Sequence, residues 1–242
     1  MITYACYTNP GNRSINEDSI GVQIKGDDAC FVVCDGLGGH GMGDEASCFV
    51  KDFLLSAFSQ TEKVDTRFLG RCFTDAQASL SEIQKEKKQQ DKMKTTCVCL
   101  TMQGKKAYIG YVGDSRLYAF GDKAVKYQTQ DHSVPYMLYL SKQIRYEDIR
   151  NHSDRNLLLR VMGTEWDEPK YQLHKAMPLR RFRAFLLCTD GFWELITEEK
   201  MLQFLQNSST VEEWLNAMVQ EVQQNGANKD MDNYSAIAIF CK

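Results

Sequence analysis

"CDGLGGHGMGDEAS", residues 34–47, is the stretch whose reading decides the fold. It follows the apolar run "ACFVV" at 29–33 and leads into the helix-like "SCFVKDFLLSAF" at 47–58. A buried strand therefore ends on a carboxylate, Asp35, and glycines at 36, 38, 39, 41 and 43 precede the next helix. Three readings compete. Gly36, Gly38 and Gly41 satisfy the G-x-G-x-x-G spacing of a dinucleotide site, but that site needs a second parallel strand after the helix, and Asp35 would oppose a pyrophosphate. Alternatively the glycines only allow a tight turn, with Asp35 capping the helix. In the third reading Asp35 is a metal ligand, and this gains force only if other acids join it.

They do recur at comparable places. "FLLCTDGFWEL" at 185–195 ends an apolar strand at Asp190, followed by Gly191; "MDNYSAIAIF" at 231–240 puts Asp232 just before the last strand; "NEDSIGVQI" at 16–24 puts Glu17 and Asp18 at the start of an early one. Strand ends in a layered sheet can converge, and clustered carboxylates repel one another unless cations neutralise them. Oxygen ligands without His or Cys favour magnesium or manganese over zinc.

A chain of 242 residues with 43% hydrophobic and 25% charged residues suits one globular domain, residues 1–242. A net charge of −3 leaves no basic face for nucleic acid. The start carries no basic stretch with an apolar run behind it, and no later apolar run nears the ~18 residues that span a bilayer. The expectation is a cytoplasmic protein without a membrane partner. Nine cysteines, an odd number with no Cys-x-x-Cys pair, read as reduced core thiols.

Strand-like segments fall near 2–8, 18–24, 29–34, 95–102, 106–113, 115–120, 124–129, 171–175, 182–189 and 234–241. Glycine-bearing connections as short as "TMQGKKAY" and "FGDKAV" predict antiparallel hairpins. Helical patterns occupy about 44–59, 66–90, 197–206 and 210–225, the last opening on the capping signal "TVEEW". Runs of strands with helices in pairs predict an α+β fold of sheets covered by helical layers. Residues 131–168 interrupt this order with short charged pieces and read as an inserted flap, while "QKEKKQQDKMK" at 84–94 reads as a solvated helix end.

Taken together, "RSINED" (13–18), "DGLGGHGMGDEAS" (35–47), "VGDSRLY" (112–118), "CTDGFWE" (188–194) and "DNYSAIAI" (232–239) resemble the metal-dependent, type 2C family of Ser/Thr protein phosphatases, and its bacterial branch in particular. The motifs follow the family's order across nearly the whole chain. The resemblance implies a four-layer α-β-β-α sandwich, two mostly antiparallel sheets flanked by helix pairs, with a metal centre at one end. Carried over by motif position, Asp35 bridges two Mn²⁺ or Mg²⁺ ions and the carbonyl of Gly36 binds one of them. Asp190 and Asp232 hold the other. Asp18, beside Glu17, acts mainly through water on the metal, Asp114 joins Asp190 at a third, weaker site, and Arg13 grips the substrate phosphate.

The resemblance also implies water as the attacking group in hydrolysis of phosphoserine and phosphothreonine in proteins. The expected partners are phosphorylated proteins, a Ser/Thr kinase among them, met by a monomer. The rival expectations are a noncatalytic phosphoprotein-binding module of the same fold and a dedicated phosphatase of a sigma-factor regulator. In one departure, many eukaryotic members carry a histidine where this chain has Leu37, which leaves the general acid unassigned; His40 reads as loop-shaping, and Asp131 and His132 as turn-forming or capping.

Overall fold

In a computed structural model, which describes residues 2–37, 41–89 and 92–241, the strand pattern becomes two antiparallel sheets. One has the order β1 (Ile2–Asn9), β11 (Tyr234–Cys241), β10 (Ala184–Cys188), β7 (Arg116–Phe120), β8 (Val125–Gln128). The other runs β2 (Asp18–Lys25), β3 (Asp28–Leu37), β5 (Cys97–Gln103), β6 (Lys106–Val112), β9 (Gln172–Pro178), with the two-residue β4 (Lys94–Thr95) pairing with the far end of β3.

Period-2 alternation assigns the layers. On β3, Phe31 and Val33 enter the core between the sheets, while Cys30, Val32 and Cys34 face the helices. The inter-sheet core adds Val98, Leu100, Ile109, Leu117, Phe185, Leu187, Ile237 and Ile239. Helices α1 (Gly43–Gln60) and α2 (Thr66–Lys87) bury Val50, Leu54, Phe58, Phe73 and Leu80 against the outer face of one sheet. The short α4 (Asp190–Trp193) and the paired α5 (Glu198–Asn207) and α6 (Val211–Gly226) cover the other with Phe192, Trp193, Met201, Trp214 and Met218. The result is the expected four-layer α-β-β-α sandwich. Thr210 and Glu213 form the capping box at the start of α6.

Several boundaries differ for local reasons. α2 ends at Lys87 rather than 90, because Lys88 takes a left-handed conformation (φ 55°) and its N–H closes onto the Gln84 and Lys85 carbonyls. Gln84 itself, read as part of a solvated run, is buried and donates from Nε2 to the Met93 and Gly163 carbonyls, both at 2.8 Å. The segment expected at 95–102 breaks at Thr96, whose N–H and Oγ1 both turn to the Asp35 backbone. Within 131–168 lie α3 (Val134–Leu140) and a 3₁₀ turn at Tyr146–Asn151, tied down by bridges Ser133 to Leu158 and Thr95 to Met162. Six cysteines are buried, but Cys6 and Cys48 are exposed, so the core-thiol reading does not hold for those two. Among the described residues, no helix is long and apolar enough to cross a membrane.

Candidate active site

The same alternation that packs the inter-sheet core carries acids to its end. Asp35 continues the face of Phe31 and Val33, and Asp18 that of Ile20 and Val22. Registration of β2 on β3 sets Asp18 directly across from Asp35. Asp190 opens α4 immediately after β10, and Asp232 lies two residues before β11, the neighbour of β10. Asp114 sits in the bend between β6 and β7. Arg13, Asp35, Gly36, Asp114, Asp190 and Asp232 line one cleft of about 480 Å³, with Glu17 and Leu37. Asp18 lies beneath it, buried. Asn156 and Leu158 of the 131–168 segment form part of the cleft wall.

Two backbone crossings account for Gly36 and Gly191. A Cβ on Gly36 would stand 2.3 Å from the Gly43 carbonyl oxygen and 2.6 Å from that of Glu17, so glycine alone lets β3, the start of α1 and the Glu17 turn meet. A Cβ on Gly191 would stand 2.1 Å from the Asn233 carbonyl oxygen, the contact that brings Asp190 and Asp232 together. The capping reading of Asp35 is overturned: the residue before α1 is Met42, without a side-chain cap, and the Gly43 N–H is met by Glu17. The dinucleotide reading fails because α2 and an antiparallel strand follow α1. Gly38, Gly39 and His40 lie outside the described residues, so the loop-shaping reading of His40 does too.

Neutral side chains fix the acids. Asp35 is clamped through its backbone: its carbonyl accepts from Thr96 N–H and Thr95 Oγ1, both at 2.8 Å, and its N–H donates to Thr96 Oγ1 at 3.0 Å. Thr189 Oγ1 donates to Asp18 Oδ2 at 3.0 Å and accepts from Ser235 N–H. Asn233 accepts from Glu17 N–H at 2.7 Å and donates to the Pro10 and Ile15 carbonyls, which shapes the turn carrying Arg13. The sequence reading missed these residues; "KTTC", "CTDG" and "DNYS" show them only as polar residues flanking apolar strands. It also read Asp131 and His132 as turn or cap residues, whereas Asp131 is a buried ion-pair partner of Arg116, and His132 accepts the Gly113 N–H at Nδ1 and stacks on Tyr111.

Electrostatics reflects the crowding. Burial, then the charge of Asp190, pushes Asp18 up to about 7, against the nearby hydroxyls of Ser235 and Thr189, of which Thr189 makes a hydrogen bond. Asp35 and Asp114 are raised well above the carboxylate range by burial and by Asp190. Asp190 is also raised by burial, and the hydrogen bond it shares with Asp35 raises Asp35 while lowering Asp190. Asp35 and Asp190 are only half-buried, since they face the cleft, and solvent there tempers the effect. Glu194, which sequence reading did not single out, is pushed up to about 7 by burial and by Asp190, against its ion pair with Arg155.

Among the described residues, no three acidic, His or Cys side chains stand as a finished metal shell. Asp232 is held by Arg13, whose Nε and Nη2 donate to its two oxygens at 3.1 and 3.2 Å, and Asp190 is engaged with Asp35. The donor set nevertheless fits a hard divalent cation. It is all oxygen, burial and neighbouring carboxylates raise Asp18, Asp35, Asp114 and Asp190, and Asp18 Oδ1 is buried without a partner. Asp35, Gly36, Asp190 and Asp232 are the residues that could hold such an ion, with Asp114 and Asp18 beside them.

Residues 9–234 match the family model described as protein phosphatase 2C. The chain belongs to the protein phosphatase 2C family. Among relatives of this kind, the serine/threonine phosphatase stp of Listeria monocytogenes serotype 4b is 28% identical over 235 residues, 94% of this chain and 90% of that protein. PstP of Mycobacterium tuberculosis is 26% identical over 210 residues, covering 85% of this chain and 39% of that one. The crystal structure of Stp1 from Staphylococcus aureus shares the phosphatase 2C fold, with a TM-score of 0.91 and 29% identity over 100% of this chain and 96% of that one. A catalytic domain of PstP in complex with two manganese ions shares it too, with a TM-score of 0.82 and 24% identity over 99% of this chain and 97% of that one.

Proposed function

We propose that this protein is a Mn²⁺- or Mg²⁺-dependent phosphatase that hydrolyses phosphoserine and phosphothreonine in proteins. The observation that carries this reading is the meeting of strand-end acids and Arg13 at one cleft. Asp35 and the Gly36 carbonyl, with Asp190 and Asp232, would hold two ions, and Asp114 with Asp190 a third, weaker one. When bound, such ions acidify water and offset phosphate charge in an in-line displacement.

The chain's own groups do the rest. Arg13, half-exposed at the cleft and kept charged by its contact with Asp232, presents a planar fork suited to two phosphate oxygens. Asp18 Oδ1 is the buried atom left to accept a hydrogen bond from solvent in the centre, while Thr189 holds the other oxygen. Leu37 lines the cleft without a proton to give, so the position that holds a histidine in many eukaryotic members does not protonate the leaving alkoxide here. Residues 1–242 act as one catalytic domain in this reading, with 131–168 as the flap that meets the substrate protein; Met137, Leu140, Leu157 and Leu159 are exposed on it. The protein would work as a monomer in the cytoplasm, opposing a Ser/Thr kinase.

Hydrolysis of a phosphothreonine peptide tests the reading. Adding Mn²⁺ should release phosphate, chelator should stop it, and Asp35→Asn or Asp232→Asn should nearly abolish it. Retained turnover in both variants would refute the scheme, and binding of the phosphopeptide without turnover would favour a noncatalytic module.

A further inference from the structure

Behind the cleft lies a charged cluster that the proposed reaction does not use. Arg116 and Asp131 have side chains only 1% exposed and form a two-point ion pair, Nε to Oδ1 at 2.8 Å and Nη2 to Oδ2 at 2.7 Å. Arg116 Nη1 donates to Tyr118 Oη at 3.0 Å, and Tyr118 and Tyr146 each donate to Glu198 Oε1 at 3.2 Å. Arg150 Nη2 stands 2.7 Å from Glu198 Oε2. Two arginines and two acids thus balance inside the protein. Such a cluster is a poor source of stability, because desolvation offsets the attraction and apolar side chains of similar volume do as well or better.

Its position is more informative. The guanidinium carbon of Arg116 lies 3.3 Å from the centroid of the Trp193 ring, and Trp193 Nε1–H donates to the Asp114 carbonyl at 3.0 Å. Trp193 is three residues after Asp190 on α4, so one aromatic plate connects the Asp190 helix turn to the backbone of Asp114. Asp131, which pairs with the Nε and Nη2 edge of the guanidinium, is the first residue of the 131–168 segment. His132 adds to that joint: its N–H donates to the Gly113 carbonyl at 2.9 Å, beside Asp114.

We propose that Arg116 is a positioning residue, which seats Trp193 so that Asp114 and Asp190 keep a fixed spacing tied to the root of the 131–168 segment. This rests on the phosphatase reading above. Arg116 touches neither substrate nor ion; it acts through Trp193 and Asp131. Loss of the Trp193 N–H frees the Asp114 carbonyl, and loss of the guanidinium frees the indole and the segment together.

Two variants test it. Trp193→Phe keeps a ring beneath the guanidinium and removes only the donor to Asp114. Arg116→Met with Asp131→Leu replaces the buried pair by apolar side chains, so that a merely structural role would be restored. Thermal unfolding, Mn²⁺ binding by calorimetry, and kcat, KM and the Mn²⁺ concentration for half-maximal turnover of p-nitrophenyl phosphate are measured on each. Both variants should be folded and need about tenfold more Mn²⁺ for half-maximal turnover, as is usual when the groups orienting metal ligands are removed, with weaker Mn²⁺ binding and KM within about twofold. Wild-type Mn²⁺ binding and activation in Trp193→Phe, or in a double variant of normal stability, would overturn the proposal. If the double variant does not fold, Trp193→Phe decides. A wild-type protein without Mn²⁺-dependent turnover would instead sink the phosphatase reading.

Discussion

Asp18 and Asp35 are cross-strand partners, placed opposite each other where β2 and β3 enter the cleft. Like charges in that relationship destabilise a sheet, and here Asp18 is also buried. Protonation can relieve the repulsion, and so can a cation.

The first consequence is a stability that falls with rising pH in metal-free protein. Asp18 is pushed up to about 7 from an ordinary 3.8, so between these values the folded chain holds a proton that the unfolded chain has released. Stability due to this group is therefore full below about pH 4 and declines as pH rises towards 7. The urea midpoint of chelator-treated protein should show this decline, Asp18→Asn should make it shallower, and Mn²⁺ should reverse it. An equal slope in wild type and variant would count against the buried pair.

His132 acts with the opposite sign. Burial, then the charge of Arg160, lowers it to about 4 from 6.5, so it stays neutral in the fold and its contribution is present above pH 6.5 and lost as pH falls towards 4. His132→Gln should remove a rise in urea midpoint over that window. No change in slope would show that the ring titrates freely.

Gly36→Ala tests the backbone crossing. The new methyl would meet the Gly43 carbonyl at 2.3 Å, and overpacking of this kind costs ~1–3 kcal/mol or more. Melting should drop by several degrees, at about 2–4 °C per kcal/mol, and turnover should fall with it. A variant as stable as the parent would mean the crossing is looser than described.

Arg13→Lys keeps the charge and loses the fork. Charge-assisted hydrogen bonds are worth ~1.5–3 kcal/mol, so kcat/KM for a phosphothreonine peptide should fall about 10- to 100-fold. Unaltered kcat/KM would assign Arg13 to holding Asp232 alone.

Much of this was legible in the sequence because the acids terminate apolar strands: once Phe31 and Val33 are assigned to the core, alternation places Asp35 at its end. Antiparallel strands and long helices were legible from alternation, short hairpin turns and helical spacing, whereas the division into two facing sheets was what the resemblance implied. The supports were not. Thr95, Thr96, Thr189 and Asn233 bond to residues far away in the chain, and short polar side chains before a strand look the same whether they hold a site or face water. Nothing in "GDSR" marks Arg116 as buried; only the fold brings Asp131 and Trp193 against it. Gln84 was hidden by the lysines around it.

The central claim is that acids from separate strand ends share divalent cations. Calorimetric titration of metal-free protein with Mn²⁺ tests it most directly. The account predicts two tightly bound ions in the wild type, with binding lost in Asp35→Asn, whose carboxyl would serve both ions. An absence of Mn²⁺ binding, or the same two ions bound equally well by Asp35→Asn, would contradict it.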